Sequence, residues 1–270
     1  MKTKTINKIL NKKFSDFVES INSTKVKKLV RENSMITGGC ITSMLLQEPV
    51  NDFDIYFRNK ETAIAVAEYY VKIMNKGEVK VEDDRVKIYI KSKGFAGELP
   101  EDGKDDTPFK SEEENNQNYE PIYISSNAIT LSGKIQIILR FYGDPEDIHE
   151  NYDFAHCLNY WTSWGEELVL NKEALECTLT KELRYKGSKY PLCSIFRTRK
   201  FITRGWKINA GQYLKMAMQL NDMDLNDIET LEDQLTGVDS AYFLSVIESM
   251  KKDTKYVDRA YLTSIIDKIF

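Results

Sequence analysis

Cysteine and histidine are scarce and scattered in this chain. Its four cysteines, Cys40, Cys157, Cys177 and Cys193, form no Cys-x-x-Cys pair, which argues against a zinc site or a disulfide framework. They read as reduced, mostly buried thiols of a cytoplasmic protein. The two histidines, His149 and His156, are too few for a histidine-based metal centre and read as structural residues. No apolar run approaches the roughly 18 residues that span a bilayer, so no membrane partner is expected. The N-terminus, MKTKTINKILNKKF, is basic but has neither a continuous apolar core nor a small-residue cleavage site, so no signal peptide is expected.

What is present describes a globular protein. The 270 residues are 41% hydrophobic and 30% charged, ordinary values that leave room for one large or two small domains. A formal charge of −4 argues on average against nucleic acid, but the charge is segregated. Residues 98–120 hold nine acids against two lysines, and residues 181–207 hold nine basic residues against one acid. A basic block of that size can neutralise phosphates whatever the total charge; it can equally be a solvated helix face balanced by the acidic loop.

Apolar residues at helical spacing predict helices over 4–22, 24–32 and from Glu61 to Lys76. Short strands are expected at 34–37, 52–57, 79–81, 86–90, 122–125, 128–131 and 135–141. The acidic stretch 98–120 reads as a long loop or locally disordered insertion. Beyond Asp144 the pattern turns almost wholly helical, with helices expected over 153–164, 172–185, 190–205, 209–220, 226–234, 239–252 and 257–269. The boundary is drawn near residue 150: residues 1–150 form a mixed α/β head and residues 151–270 a helical domain.

One stretch organises the rest, TGGCITSMLLQEPVNDFDIYF (37–57). Residues two apart on a strand share a face, so Asp52 and Asp54 project together while Phe53 and Ile55 go to the other side. Two such carboxylates can share hard divalent cations, Mg²⁺ or Mn²⁺, that keep open positions for phosphate oxygens. Gly38 and Gly39 carry no Cβ and let a polyphosphate approach the main chain, and the helix that follows presents unpaired N–H groups to an anion.

A glycine pair followed about a dozen residues later by Asp-x-Asp resembles the signature of the nucleotidyltransferase superfamily. In particular, it resembles the head of CCA-adding enzymes and bacterial poly(A) polymerases. Two further segments follow in the same order. ENYDFAHCLNYW (150–161) resembles the family's Arg-Arg-Asp-Phe-Thr-x-Asn-Ala motif, with Asp153-Phe154 in step. YPLCSIFRTRKFITRGWKINAGQYLKMA (190–217) resembles its neck helix, with Pro191, Leu192, Arg197, Lys200, Phe201, Arg204 and Gly205-Trp206 in step.

The resemblance implies an α+β fold, a polymerase-beta-like small mixed sheet with helices, followed by an all-helical C-terminal domain. It implies a metal-dependent transfer of a nucleotide from an NTP to an acceptor hydroxyl with release of pyrophosphate, the acceptor being an RNA or tRNA 3′ end. Asp52 and Asp54 would be the catalytic metal ligands. Gly38, Gly39, Ser43, Asp153, Arg197, Lys200 and Arg204 would contact the nucleotide.

The chain also departs from the family. Thr42-Ser43 replaces Arg-Asp after the glycines, Asn151-Tyr152 replaces the paired arginines, and Cys157 replaces the motif's asparagine. Tyr190 and Cys193 replace the Asp and Arg that template the incoming base. The third catalytic carboxylate falls at Gln136, whose amide can ligate a cation but cannot act as a base; Glu120 or Asp144 could stand in for it. Two rival readings therefore stay open: transfer to a protein or small molecule, and a non-catalytic nucleotide- or RNA-binding relative.

Overall fold

The computed structural model describes residues 1–75, 77–82, 85–89, 119–125, 127–235 and 258–269. Nearly all of the acidic stretch 98–120, and the helix expected over 239–252, lie outside the described residues. The chain divides into two compact units: residues 1–149 with 156–178, and residues 150–155 with 179–270.

The first unit opens with two helices, α1 (Thr3–Ser20) and α2 (Thr24–Asn33). Helical spacing places Ile6, Leu10, Phe14 and Phe17 on one buried face of α1. Ser23 caps α2 by accepting the Val26 N–H. There follow β1 (Ser34–Thr37), α3 (Gly39–Leu46), β2 (Phe53–Phe57) and α4 (Lys60–Met74). A separate hairpin joins β3 (Glu78–Glu82) to β4 (Arg85–Tyr89). Next come β5 (Pro121–Ile124), β6 (Ala128–Leu131), β7 (Ile135–Tyr142) and the short α5 (Pro145–His149).

The segment 153–164 corrects the sequence reading. In place of a helix it forms a 3₁₀ turn (Ala155–Cys157) and β8 (Tyr160–Thr162), which pairs with β1 and with β9 (Glu167–Val169). Its Phe, Tyr and Trp residues suit a strand, and β1 offered an open edge. Among the described residues the main sheet therefore has seven strands, in the order β5-β6-β7-β2-β1-β8-β9. The only parallel pair in it is β2 with β7.

Two adjacent rows of this sheet divide its labour. One row reads Ile124, Ile129, Ile137, Ile55, Ile36, Trp161, Leu168 across all seven strands. It is wholly apolar and belongs to the core with α1, where Phe14 packs 5.0 Å from the Trp161 ring. The neighbouring row reads Tyr123, Thr130, Gln136, Asp54, Thr37, Tyr160, Val169. Successive residues point to opposite faces, so this largely polar row lies on the side away from that core.

The second unit is helical: the end of α6 (Lys172–Thr180), α7 (Pro191–Thr203), α8 (Ala210–Asn221), α9 (Ile228–Gln234) and a last helix, Arg259–Ile269. Pro191 starts α7 at its first position. Gly205 (φ 81°) ends it, with Gly205 N–H bonded to Ile202 O and Trp206 N–H to Phe201 O, a Schellman closure. Phe154 meets the rings of Tyr185 and Phe201 edge-on inside this unit.

Candidate functional site

The candidate site lies in the first unit, where β1 gives way to α3. Gly38 holds φ 93° and ψ −154°, a conformation essentially confined to glycine. It turns the chain sharply off the sheet and into the helix. Gly39 then opens α3 at the surface, and a Cβ added there would meet nothing within 4 Å. The space in front of that main chain is open to a ligand. Ser43 lies one turn further along α3, on the same face as Gly39, and is half-buried.

Asp54 is fixed by pairing on both sides. It lies opposite Thr37 on β1 and opposite Gln136 on β7, so the three share one face of three adjacent strands. Asp54 is half-buried, and Asp52, just ahead of the strand, is exposed. Both lie close to the start of α3. Burial pushes the thiol of Cys40 far above the usual cysteine range, and the fields of Asp54 and, more weakly, Asp52 push it the same way. That thiol stays protonated and is no nucleophile.

Behind the glycine bend sits a polar knot. Thr37 Oγ1 lies 2.9 Å from His149 Nε2 and 3.0 Å from the carbonyl of Asn159. The His149 ring meets the Tyr160 ring edge-on at 5.5 Å, and burial pulls its pKa down to about 4. Beyond the bend, Thr42 Oγ1 donates to the His156 carbonyl at 2.6 Å. The sequence offered no sign of this knot, because Thr37 and His149 are far apart along the chain.

Whether these residues suit a divalent cation is decided by their donors. Asp52 and Asp54 offer hard carboxylate oxygens and Gln136 an amide oxygen beside them, a set matched to Mg²⁺ or Mn²⁺ once phosphate oxygens join it. Among the described residues no group of three His, Cys, Asp or Glu is placed to hold a metal. Glu120 and Asp144 thus form no such group with Asp52 and Asp54. Asp144 instead pairs with Arg58 at 2.6 Å.

The remaining expected residues lie in the second unit. Arg197 Nη1 pairs with Asp153 Oδ2 at 2.9 Å, and the Asp153 carbonyl accepts the Lys186 N–H. Asp153 thus braces α7. Arg197, Lys200 and Arg204, together with Arg199, are exposed along α7 and its end.

The resemblance calls for a glycine bend leading into a helix beside an Asp-x-Asp strand of a mixed sheet; the first unit has the bend, the helix and Asp54 on the strand, with Asp52 one residue ahead of it. A family profile described as "Gabija anti-defense 2 family protein" matches residues 8–181. The chain belongs to the Gabija anti-defense 2 family.

A curated relative, "Gabija anti-defense 2" of Bacillus phage SPbetaL7, is 22% identical over 230 residues, 84% of this chain and 47% of the relative. Two solved structures also align. The Thermotoga maritima CCA-adding enzyme complexed with tRNA has 13% identity and a TM-score of 0.42, over 89% of this chain and 54% of its own. The Bacillus stearothermophilus CCA-adding enzyme in complex with CTP has 13% identity and a TM-score of 0.43, over 84% and 49%. The chain thus spans about half the length of each of these proteins.

Proposed function

We propose that the first unit is a metal-dependent nucleotidyltransferase site, which moves a nucleotide from an NTP to an acceptor hydroxyl and releases pyrophosphate. The observation that carries this reading is the register that sets Asp54 between Thr37 and Gln136 at the edge of the glycine bend. Asp52 and Asp54 would hold Mg²⁺ or Mn²⁺. The cation, when bound, would offset charge on the triphosphate and on the attacking and leaving oxygens.

The chain's own residues would position the reactants. Gly38 and Gly39 would let the triphosphate lie against the main chain, and the first N–H groups of α3 would point at it. The Ser43 hydroxyl would donate to a phosphate oxygen. The acceptor oxygen would bond to the α-phosphorus as the bridge to the β-phosphate breaks, and pyrophosphate would carry off the electron pair. Gln136 cannot take the hydroxyl proton, so it would pass to water. Positioning and charge supply most of the barrier reduction in such transfers.

The acceptor in this proposal is an RNA 3′ end, tRNA included. Arg199, Lys200 and Arg204 are exposed in the second unit and would give that unit its own basic surface for RNA phosphates. The family name adds a setting, action against the Gabija defence of a host, which is a cytoplasmic role. Four thiols, none of them in a disulfide, are in keeping with a reducing compartment.

One observation favours a second reading. With Gln136 beside Asp54 and no third acid at hand among the described residues, the site would bind an NTP with its metal and not transfer. One experiment separates the two. The protein is incubated with each α-labelled NTP and Mg²⁺ or Mn²⁺, against total RNA, cell extract and purified defence proteins. Label on a macromolecule that disappears in the Asp52→Asn/Asp54→Asn double variant supports transfer. Metal-dependent NTP binding without label supports the second reading. Equal labelling by wild type and double variant overturns the site assignment.

A further inference from the structure

The polar knot behind the glycine bend belongs to neither the metal-binding pair nor the phosphate-facing main chain. Thr37 is fully buried and its β-branched frame would suit a strand end equally well as valine. Its hydroxyl nevertheless meets three groups: His149 Nε2 at 2.9 Å, the Asn159 carbonyl at 3.0 Å and, more distantly, the Cys157 carbonyl at 3.4 Å. A hydroxyl has one proton to give, and carbonyls can only accept. The proton goes to Asn159, which leaves a lone pair facing the histidine. With the proton so placed, the 2.9 Å contact is a hydrogen bond when the neutral ring carries its hydrogen on Nε2.

The far side of the bend is tied to the same short segment. Thr42 Oγ1 donates to the His156 carbonyl at 2.6 Å. Residues 156–159 therefore grip the chain just before Gly38 and just after Gly39. Gly38 holds a backbone conformation that only glycine adopts readily, and the grip on its two flanks fixes the direction in which the chain leaves it. Thr37 also sits opposite Asp54 across β1 and β2. Any shift of Thr37 changes the spacing between the carboxylate and the bend.

We propose that Thr37 and His149 are positioning residues that hold the glycine bend against Asp54, so that a triphosphate meets main chain and metal ligands at once. This inference rests on the nucleotide-binding reading given above. A merely structural role would lower stability without singling out the bend or the nucleotide.

The test compares Thr37→Val, Thr37→Ser, His149→Ala and His149→Gln in the full chain. Amide hydrogen exchange is followed without ligand, ATP binding with Mg²⁺ by titration, and melting in parallel. Thr37→Val and His149→Ala should speed exchange of the α3 amides at 42–46, which bond back to the carbonyls of 38–42, about tenfold, the scale of one lost hydrogen bond, while α4 amides keep their wild-type protection. ATP should bind those two variants about tenfold more weakly. Thr37→Ser keeps the hydroxyl and His149→Gln keeps an N–H donor, so both should stay within about threefold of wild type. The inference is overturned if exchange at 42–46 is unchanged in Thr37→Val and His149→Ala, if exchange rises equally across the unit, or if the conservative variants behave like the disruptive ones. Wild-type protein that binds no nucleotide would overturn the proposed function instead, and the ligand-free exchange would still decide the clamp.

Discussion

Thr37 and Asp54 face each other across the antiparallel pair β1–β2, at the point where the first of these strands leaves the sheet for the glycine bend. That pairing converts a spacing in sequence into a place. The carboxylate is brought to the rim of the bend by backbone hydrogen bonds and needs no loop to carry it there.

The two glycines should respond oppositely to alanine. Gly38→Ala forces a side chain onto φ 93° and should cost about 1–3 kcal/mol of stability. Gly39→Ala meets open space in the first turn of α3 and should be neutral, or up to about 1 kcal/mol stabilising. The new methyl at 39 would nevertheless block the approach of phosphate and weaken ATP binding. Thermal melts paired with ATP titrations check both; a Gly39→Ala protein that binds ATP like wild type would remove the bend from the binding account.

Gln136→Glu restores an acid directly beside Asp54. Two like charges on neighbouring strands repel, so without metal the variant should lose about 0.2–1 kcal/mol. Mn²⁺ should reverse that loss and bind the variant about tenfold more tightly than wild type, the scale expected when a charged ligand replaces a neutral one. Calorimetric Mn²⁺ titration with parallel melting measures both effects. Unchanged Mn²⁺ affinity would mean that position 136 does not face the cation.

His149 gives the fold an acid-sensitive element with a defined sign. Burial lowers its pKa from 6.5 to about 4 in the folded protein. Between those values the unfolded chain takes up a proton that the folded chain does not. Stability therefore falls as pH drops through 6.5 toward 4, by no more than about 3 kcal/mol. The His149→Gln stability curve, subtracted from that of wild type across pH 4–7, should show this loss. A flat difference would mean that the ring titrates normally.

In the second unit, the Arg197–Asp153 pair should break asymmetrically. The Asp153 side chain is 9% exposed and that of Arg197 is 49% exposed. Arg197→Ala leaves a buried carboxylate without its guanidinium and should cost about 1–3 kcal/mol. Asp153→Ala leaves a cation that water can reach and should cost less. Removing both should be milder than Arg197→Ala alone, the non-additivity of a coupled pair. Denaturant melts of the three variants decide it.

The amino-acid order alone settled what depends on near neighbours. Helical spacing marked α1 and α4, and Pro191 and Gly205 bracketed α7. The glycine pair and the Asp-x-Asp strand were equally plain, because both are signals carried within a few residues.

Tertiary structure decided whatever needed a distant partner. Tyr160–Thr162 became a strand because β1, more than 120 residues earlier, left an edge unpaired; within its own segment nothing repeats with period two. Thr37 found His149, 112 residues away, only once β1 and α5 had packed in one unit. That Glu120 and Asp144 form no metal-holding group with Asp52 and Asp54 among the described residues was likewise decided in three dimensions. Local periodicity is written in adjacent residues, but pairing across a sheet is chosen by which edges and faces remain open after the rest of the chain has folded.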